Sequence, residues 1–406
     1  MAWRMLTIGE LCEVVNGGTP KTGIDEYWNG KHLWITPAEM GKRESPYVFE
    51  TERRITDAGL RNSSARLLPP NSVILSSRAP IGHLVINTEP MAFNQGCKGL
   101  VPGPSIHHKY LFYYLSSIVD LLNALGTGAT FKELSGGKLK EVIVPVPPLA
   151  EQKRIVAILD EAFEGIRIAT ANAEKNLANA RDLFDAELRC LFEESAQSYP
   201  MLALENLTER ITKGSSPKWQ GISYVTDGGI LFVTSENVGQ NRMLLDEPKF
   251  VDARFNEKDR KSILRRDDVL TNIVGASIGR TAVFESDDVA NINQAVCLIR
   301  CKTDALLPRF LSALLNSDYF RRQLFANTTD TARANLSLAF FRSFEIPVPP
   351  IEVQQRIIED VLSIQLECDA LSMRYQEKCN GVSELKQSIL SRAFSGQLTA
   401  TKGLAA

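Results

Sequence analysis

Val144-Pro-Val-Pro-Pro-Leu-Ala-Glu-Gln-Lys-Arg-Ile-Val156 returns as Ile346-Pro-Val-Pro-Pro-Ile-Glu-Val-Gln-Gln-Arg-Ile-Ile358, with seven of thirteen positions identical at a constant offset of 202. The same offset lays Leu188-Arg-Cys-Leu-Phe192 on Leu390-Ser-Arg-Ala-Phe394. The segment joining the two matches therefore has one length in both copies. The repeat is the whole half-chain.

Weaker echoes lie upstream at offsets drifting between 196 and 199. Gly17-Gly-Thr-Pro-Lys21 resembles Gly214-Ser-Ser-Pro-Lys218, and Trp34-Ile-Thr36 resembles Phe232-Val-Thr234. Leu68 to Leu75 resembles Leu264 to Thr271. Ile81-Gly82 and Asn94-Gln95 match Ile278-Gly279 and Asn293-Gln294. The plan is a diverged unit, a tightly repeated helical segment, then both again.

The repeated segments read as long helices. Pro148 and Pro350 stand where a helix entry tolerates proline, and none follows until Pro200 in the first or at all in the second. Apolar residues step three and four along the first: Ile155, Leu159, Ala162, Ile166, Ala169, Ala173, then Leu177, Ala180, Phe184, Leu188, Leu191. The second runs Ile357, Val361, Ile364, Cys368, Leu371, Tyr375, Cys379, Val382, Leu385, Ile389. Stripes this long without a breaker favour a coiled coil over two ordinary bundle helices. About 45 residues at 1.5 Å each make a rod of roughly 65 Å. If the stripes pack on each other, the second helix returns toward the first unit. An antiparallel coil with pseudo-two-fold symmetry results, the intramolecular counterpart of an isologous dimer.

The diverged units read as α/β. Ser72–Leu75, Leu84–Ile86 and Val296–Ile299 suit strands. Lys109–Leu125 and Pro308–Phe325 suit helices that close each unit. The expected fold class is α+β: two globular α/β domains separated by an antiparallel coiled coil of two long helices. The expected boundaries are 1–144, 145–199, 200–346 and 347–406.

Composition excludes several classes. The 406 residues are 44% hydrophobic and 23% charged, so the chain is neither disordered nor collagenous. Seven cysteines make no disulfide scaffold. The longest apolar run, Tyr110–Leu125, is interrupted by Ser116, Ser117 and Asp120 and is too short and polar for a bilayer. The N-terminus lacks a signal-peptide pattern, so the cytoplasm is the expected compartment.

Catalytic constellations are not legible. Gly136-Gly-Lys138 is followed by Leu139, and Lys132 occupies the place of the first Walker glycine. The Gly-rich turn Gly126-Thr-Gly-Ala-Thr130 has no dinucleotide fingerprint. An adenine-methyltransferase tetrad, Asn/Asp-Pro-Pro-aromatic, is absent, as are His-Glu-x-x-His and Cys-x-x-Cys.

Charge is more informative by location than in total. The net −2 is the sum of +3 on the globular units and −5 on the helical segments. Polar residues in turns are the candidate DNA contacts. They are Lys21, Thr36, Arg78, Gln95 and Lys98 in the first unit, and Lys213, Ser215, Lys218, Thr234, Arg280 and Gln294 in the second. Arg, Lys and Gln can read base edges, and Ser or Thr can hold phosphates. Trp28, Trp34 and Trp219 are expected to pack rather than to stack on bases.

The doubled Pro-x-Pro-Pro-[Leu/Ile]-x-x-Gln-x-Arg-Ile helix start resembles the specificity subunits of type I restriction–modification systems. Leu385-Lys-Gln-Ser-Ile-Leu-Ser-Arg-Ala-Phe-Ser-Gly-Gln-Leu398 is similar to that family's C-terminal signature. Gly17-Gly-Thr-Pro20, Trp34-Ile-Thr-Pro37 and Ile81-Gly82 resemble its target-recognition domains. The resemblance covers essentially the whole chain. It implies a non-catalytic DNA-specificity subunit in which each globular domain reads half of a bipartite site. It implies that the coil sets the spacer and docks two methylating subunits, with restriction subunits joining through the complex. It implies no cofactor or metal in this chain, with S-adenosylmethionine, ATP and Mg on the partners. Some members begin with a longer N-terminal segment, so contacts made there are not expected here. The competing readings are a coiled-coil scaffold bridging proteins without DNA contact and the fused recognition part of a single-chain methyltransferase.

Overall fold

The structure is a computed structural model that describes residues 3–128, 132–326 and 336–399. The chain forms two compact units. One comprises Met1–Asn172 and Lys378–Ala406, the other Ala173–Glu377. Two helices, Leu149–Ser198 and Ile351–Phe394, each contribute residues to both units.

In the first unit, strands β1 (Arg4–Thr7), β2 (Cys12–Asn16), β3 (Trp28–Ile35), β4 (Tyr47–Val48) and β5 (Arg53–Ile55) precede β6 (Val73–Ser77), β7 (Ile81–Asn87), β8 (Met91–Phe93), β9 (Cys97–Pro102) and β10 (Ile143–Val146). One sheet has the order β2-β9-β6-β7-β4, a second β5-β3-β8, and β1 pairs with β10. The expected strand at 84–86 falls within β7, and that at 72–75 overlaps β6, which begins one residue later at Val73. Both are nearly or wholly apolar and buried against a helix on one side and a second apolar cluster on the other. The expected helix 109–125 is two helices, His108–Ser117 and Val119–Leu125. They break at Ile118, whose φ of −118° and ψ of 21° leave the helical region.

The second unit repeats this plan with β11 (Met201–Ala203), β12 (Thr208–Lys213), β13 (Tyr224–Val225), β14 (Ile230–Val233) and β15 (Phe250–Val251). It continues with β16 (Asp268–Asn272), β17 (Thr281–Phe284), β18 (Ala290–Ile292), β19 (Val296–Cys301) and β20 (Glu345–Pro347). The order β12-β19-β16-β17 matches β2-β9-β6-β7, and β11 pairs with β20 as β1 does with β10. A parallel pair recurs in each unit, β3 with β8 and β14 with β18, and the first unit adds a second, β4 with β7. The Trp34/Phe232 echo lies on β3 and β14. The expected helix 308–325 is again two, Pro308–Asn316 and Asp318–Ala326, separated by extended Ser317.

Helix pairing within each unit is antiparallel. In the first, Ile155, Val156 and Leu159, near the start of one long helix, share a core with Leu390 and Ala393, near the end of the other. In the second, Leu188 and Phe192, near an end, share a core with Ile357 and Val361, near a start. Burying the Ile, Val, Leu and Phe side chains among these contributes about 1.5–3 kcal/mol each. Two seam expectations fail. Ala169 is exposed and Leu385 is half-exposed, while Leu390 is buried instead. The 3.5-residue bookkeeping drifts against a 3.6-residue helix over this length.

Each long helix begins on the same device. Gln152 and Gln354 are fully buried. Gln152 Nε2 donates to the carbonyls of Ser105 and Pro147, both at 2.9 Å, and its Oε1 accepts from the His107 N–H at 2.8 Å. Gln354 makes the corresponding bonds to Ala305, Pro349 and Leu307. The glutamine of the repeated motif thus fastens the helix start to the loop preceding the closing helix.

Candidate nucleic-acid interface

The Asn–Gln echo marks one turn in each unit. The Asn94 N–H donates to Ile35 O, and Asn94 Oδ1 accepts from the Gly96 N–H at 2.8 Å. The Asn293 N–H donates to Val233 O, and Asn293 Oδ1 accepts from the Ala295 N–H at 3.0 Å. An asparagine closing its own turn two residues on leaves the next side chain outside. Gln95 and Gln294 are accordingly exposed.

The glycine echo explains itself against this turn. A Cβ on Gly17 would sit 2.0 Å from Asn94 O, and one on Gly214 would sit 1.8 Å from Ile292 O and 2.8 Å from Asn293 O. Only glycine lets the strand end press on the turn. The loop that follows therefore lies beside the exposed glutamine in both units.

In the first unit that loop is held by indoles. Trp34 Nε1 donates to Gly18 O at 2.9 Å, and Trp28 Nε1 donates to Lys21 O at 3.3 Å. The two rings pack edge to face at 5.2 Å with the Arg53 guanidinium over Trp28 at 3.8 Å. The Thr19 hydroxyl bonds to the Gln95 side chain and accepts from Asn94 Nδ2. Lys21 is exposed at the tip. Arg78, half-buried, and Lys98, on β9 and only 7% exposed, both face Glu133, at 3.6 and 3.9 Å. Thr36 behaves differently: its hydroxyl accepts from the Glu39 N–H and caps the short helix Pro37–Met40. Glu133, the shared counter-charge, was not legible in the sequence. Its segment pairs with Thr127 through a two-residue bridge. Ala129 and Thr130 of the glycine-rich turn lie outside the described residues.

In the second unit Phe232 replaces the anchoring tryptophan, and the loop is held by side-chain polarity. Ser215 Oγ donates to Asp259 Oδ2 at 2.6 Å and accepts from Gln220 Nε2. Lys258 Nζ donates to Gln220 O at 2.6 Å. Lys213 and Lys218 are exposed. Thr234 is buried, and its N–H and hydroxyl both donate to Asn237 Oδ1, so it holds a turn. Arg280 is exposed beyond Gly279, whose φ of +84° closes the 272–280 turn. The packing expectation holds for Trp28 and Trp34, which are 9% and 1% exposed, and fails for Trp219, which is 80% exposed. The indole lies on a 3₁₀ turn, Lys218–Gln220, in which the Gln220 side chain fixes the loop and Lys218 is exposed.

Among the described residues no group of three or more His, Cys, Asp or Glu is placed to hold a metal. None of the described helices is long and apolar enough to cross a membrane.

Comparison with known proteins places the chain in a family. The model for the type I restriction modification DNA specificity domain matches residues 2–178 and 211–371. The MjaIX specificity subunit of Methanocaldococcus jannaschii is 37% identical over 159 residues, an alignment covering 39% of this chain and 37% of that protein. The EcoBI specificity subunit of Escherichia coli is 26% identical over 353 residues, covering 82% of this chain and 74% of that one. A solved chain from work on the assembly and conformational transition of a type I restriction–modification system superposes with a TM-score of 0.77. It shares 20% identity, with 98% of both chains covered.

Proposed function

The chain belongs to the type I restriction–modification DNA specificity family, and from that premise we propose that each unit reads one half of a bipartite duplex site for a larger complex. The observation that carries this reading is the repeated juxtaposition of loop and turn. In both units a glycine presses the Gly-x-x-Pro-Lys loop onto an Asn–Gln turn, leaving Lys21 and Gln95, or Lys218 and Gln294, exposed. Lysine positions a protein on phosphates, and glutamine pairs with adenine in the major groove.

The chain contributes no catalytic group of its own in this reading. Two methylating subunits dock on the long helices and carry S-adenosylmethionine, and flipping of the target base takes place in their pockets. Restriction subunits with ATP and Mg join through the complex, which works in the cytoplasm. The helices set the spacing between half-sites, about one helical turn or a small multiple of it. The acidic excess of the helical segments suits protein docking rather than contact with DNA.

Footprinting of the chain with its methylating partner on a site defined by host adenine-methylation mapping tests the proposal. Protection of two separated half-sites is expected. A complex that forms equally well without DNA preference favours the bridging-scaffold reading.

A further inference from the structure

Trp219 has no packing role in its own unit. At 80% it is the most exposed large apolar side chain among the described residues, and it joins none of the apolar clusters. An indole left in water at one surface point is unremarkable when the backbone is loose. Here the backbone is fixed from several directions.

Trp219 N–H donates to Ser216 O, Gln220 N–H to Pro217 O, Gly221 N–H to Lys218 O, and Ile222 N–H to Pro217 O. Gly221 takes the left-handed conformation, φ +67°, that ends the turn. Ile222, 5% exposed, anchors the loop in an apolar cluster with Phe232 and Phe255. The Ser215–Asp259, Gln220–Ser215 and Lys258–Gln220 bonds tie it to the segment 258–259. The ring is presented on a rigid mount, so little ordering entropy opposes its use in binding.

The surroundings specify the ligand. Lys213 ends β12 just before the loop, Lys218 lies on the loop, and Lys258, Arg260 and Lys261 lie on the segment that holds it. All five are exposed, and none makes an ion pair among the described residues. Asp259, the acid among them, is 4% exposed and occupied by Ser215. An exposed aromatic face on a loop bordered in the chain and tethered by segments carrying cations without an acid partner among the described residues fits a polyanion that carries flat aromatic groups. Cations hold phosphates, and the ring meets a base.

We propose that Trp219 is a DNA-contacting residue of the second unit, its indole lying against a base face at an opened step of that half-site. The inference rests on the DNA-reading function proposed above and adds a contact made by stacking rather than by hydrogen bonding. An apolar wedge at a base step opens the stack there and bends the duplex around the protein.

The test uses the full chain assembled with its methylating partner and a labelled duplex carrying the mapped site. Trp219→Ala is expected to lower affinity about 10- to 100-fold, the range that stacking on one base accounts for. Trp219→Phe retains most of the binding. The salt dependence of binding stays as in the wild type for both, because stacking releases no counterions, whereas Lys218→Ala reduces the salt slope by about one. If Trp219→Ala melts early, Trp219→Leu, which keeps an apolar side chain without an aromatic face, is measured in its place.

Unchanged affinity in a folded Ala or Leu variant, with the wild type still discriminating its site from a scrambled duplex, overturns this proposal alone. A wild-type complex that fails to discriminate overturns the DNA-reading function and this proposal with it.

Discussion

Gln152 and Gln354, 202 residues apart, are fully buried and make the same three hydrogen bonds in their own units. Each amide saturates one backbone N–H and two carbonyls that no strand or helix satisfies. Replacing either by Ala strands these buried groups, at about 1–3 kcal/mol for each unsatisfied group before relaxation. Gln152→Ala is expected to lower the melting temperature by several degrees, with Gln354→Ala of similar size. Differential scanning calorimetry checks this, and a change within error for either variant contradicts the lock.

Arg78 and Lys98 share Glu133. If Arg78 reads a base, Arg78→Ala weakens site binding by about 1–3 kcal/mol. Glu133→Gln removes the counter-charge and a repulsion toward phosphate, so affinity is expected to rise, most visibly at low salt. Titration of a labelled duplex at two salt concentrations measures both. Loss of affinity in Glu133→Gln shows instead that Glu133 holds the arginine in its reading position.

Modular reading makes an exchange experiment decisive. Replacing residues 1–144 by the equivalent unit of another family member is expected to change one half-site and leave the other. Adding one heptad within either long helix is expected to alter the tolerated spacer while both half-sites persist. Methylation mapping reads both outcomes. A change in both half-sites contradicts modularity, and an unchanged spacer contradicts the helices' role as its ruler.

His107 and His108 stack at 4.4 Å at the start of the helix His108–Ser117. Burial, then the neighbouring His107 and Lys109, pushes His108 down to about 4. Burial, then Lys153 and Lys109, also lowers His107. In the unfolded chain both bind protons near pH 6.5. Between about pH 6.5 and 4 the unfolded state therefore holds more protons, and stability falls as pH falls. His108→Phe is expected to flatten this slope. Denaturant melts at pH 7 and pH 5 check it, and an unchanged slope removes His108 as its source.

Much of the architecture was legible because the repeat is covalent information. The constant offset of 202 established two equivalent helix starts, and the three-four stripes established long helices. The Gly17/Gly214 and Asn94/Asn293 echoes were legible as matches but not as mechanism. Their reason, a Cβ-free strand end pressed on an Asx turn, exists only once residues some 80 positions apart meet. Thr36 and Thr234 read as exposed turn residues, yet their hydroxyls are spent on a helix cap and a turn.

The duplication, the helix starts at Pro148 and Pro350, and the family could be read directly from the residues, since these depend on local pattern and period. The tertiary structure decided which polar and aromatic side chains remain available. Trp28 and Trp34 are drawn inside because their indole N–H groups find loop carbonyls. Trp219 stays out because its turn is tied by neighbours, and the ring joins no apolar cluster among the described residues. Availability depends on contacts distant in sequence, which neither composition nor periodicity encodes.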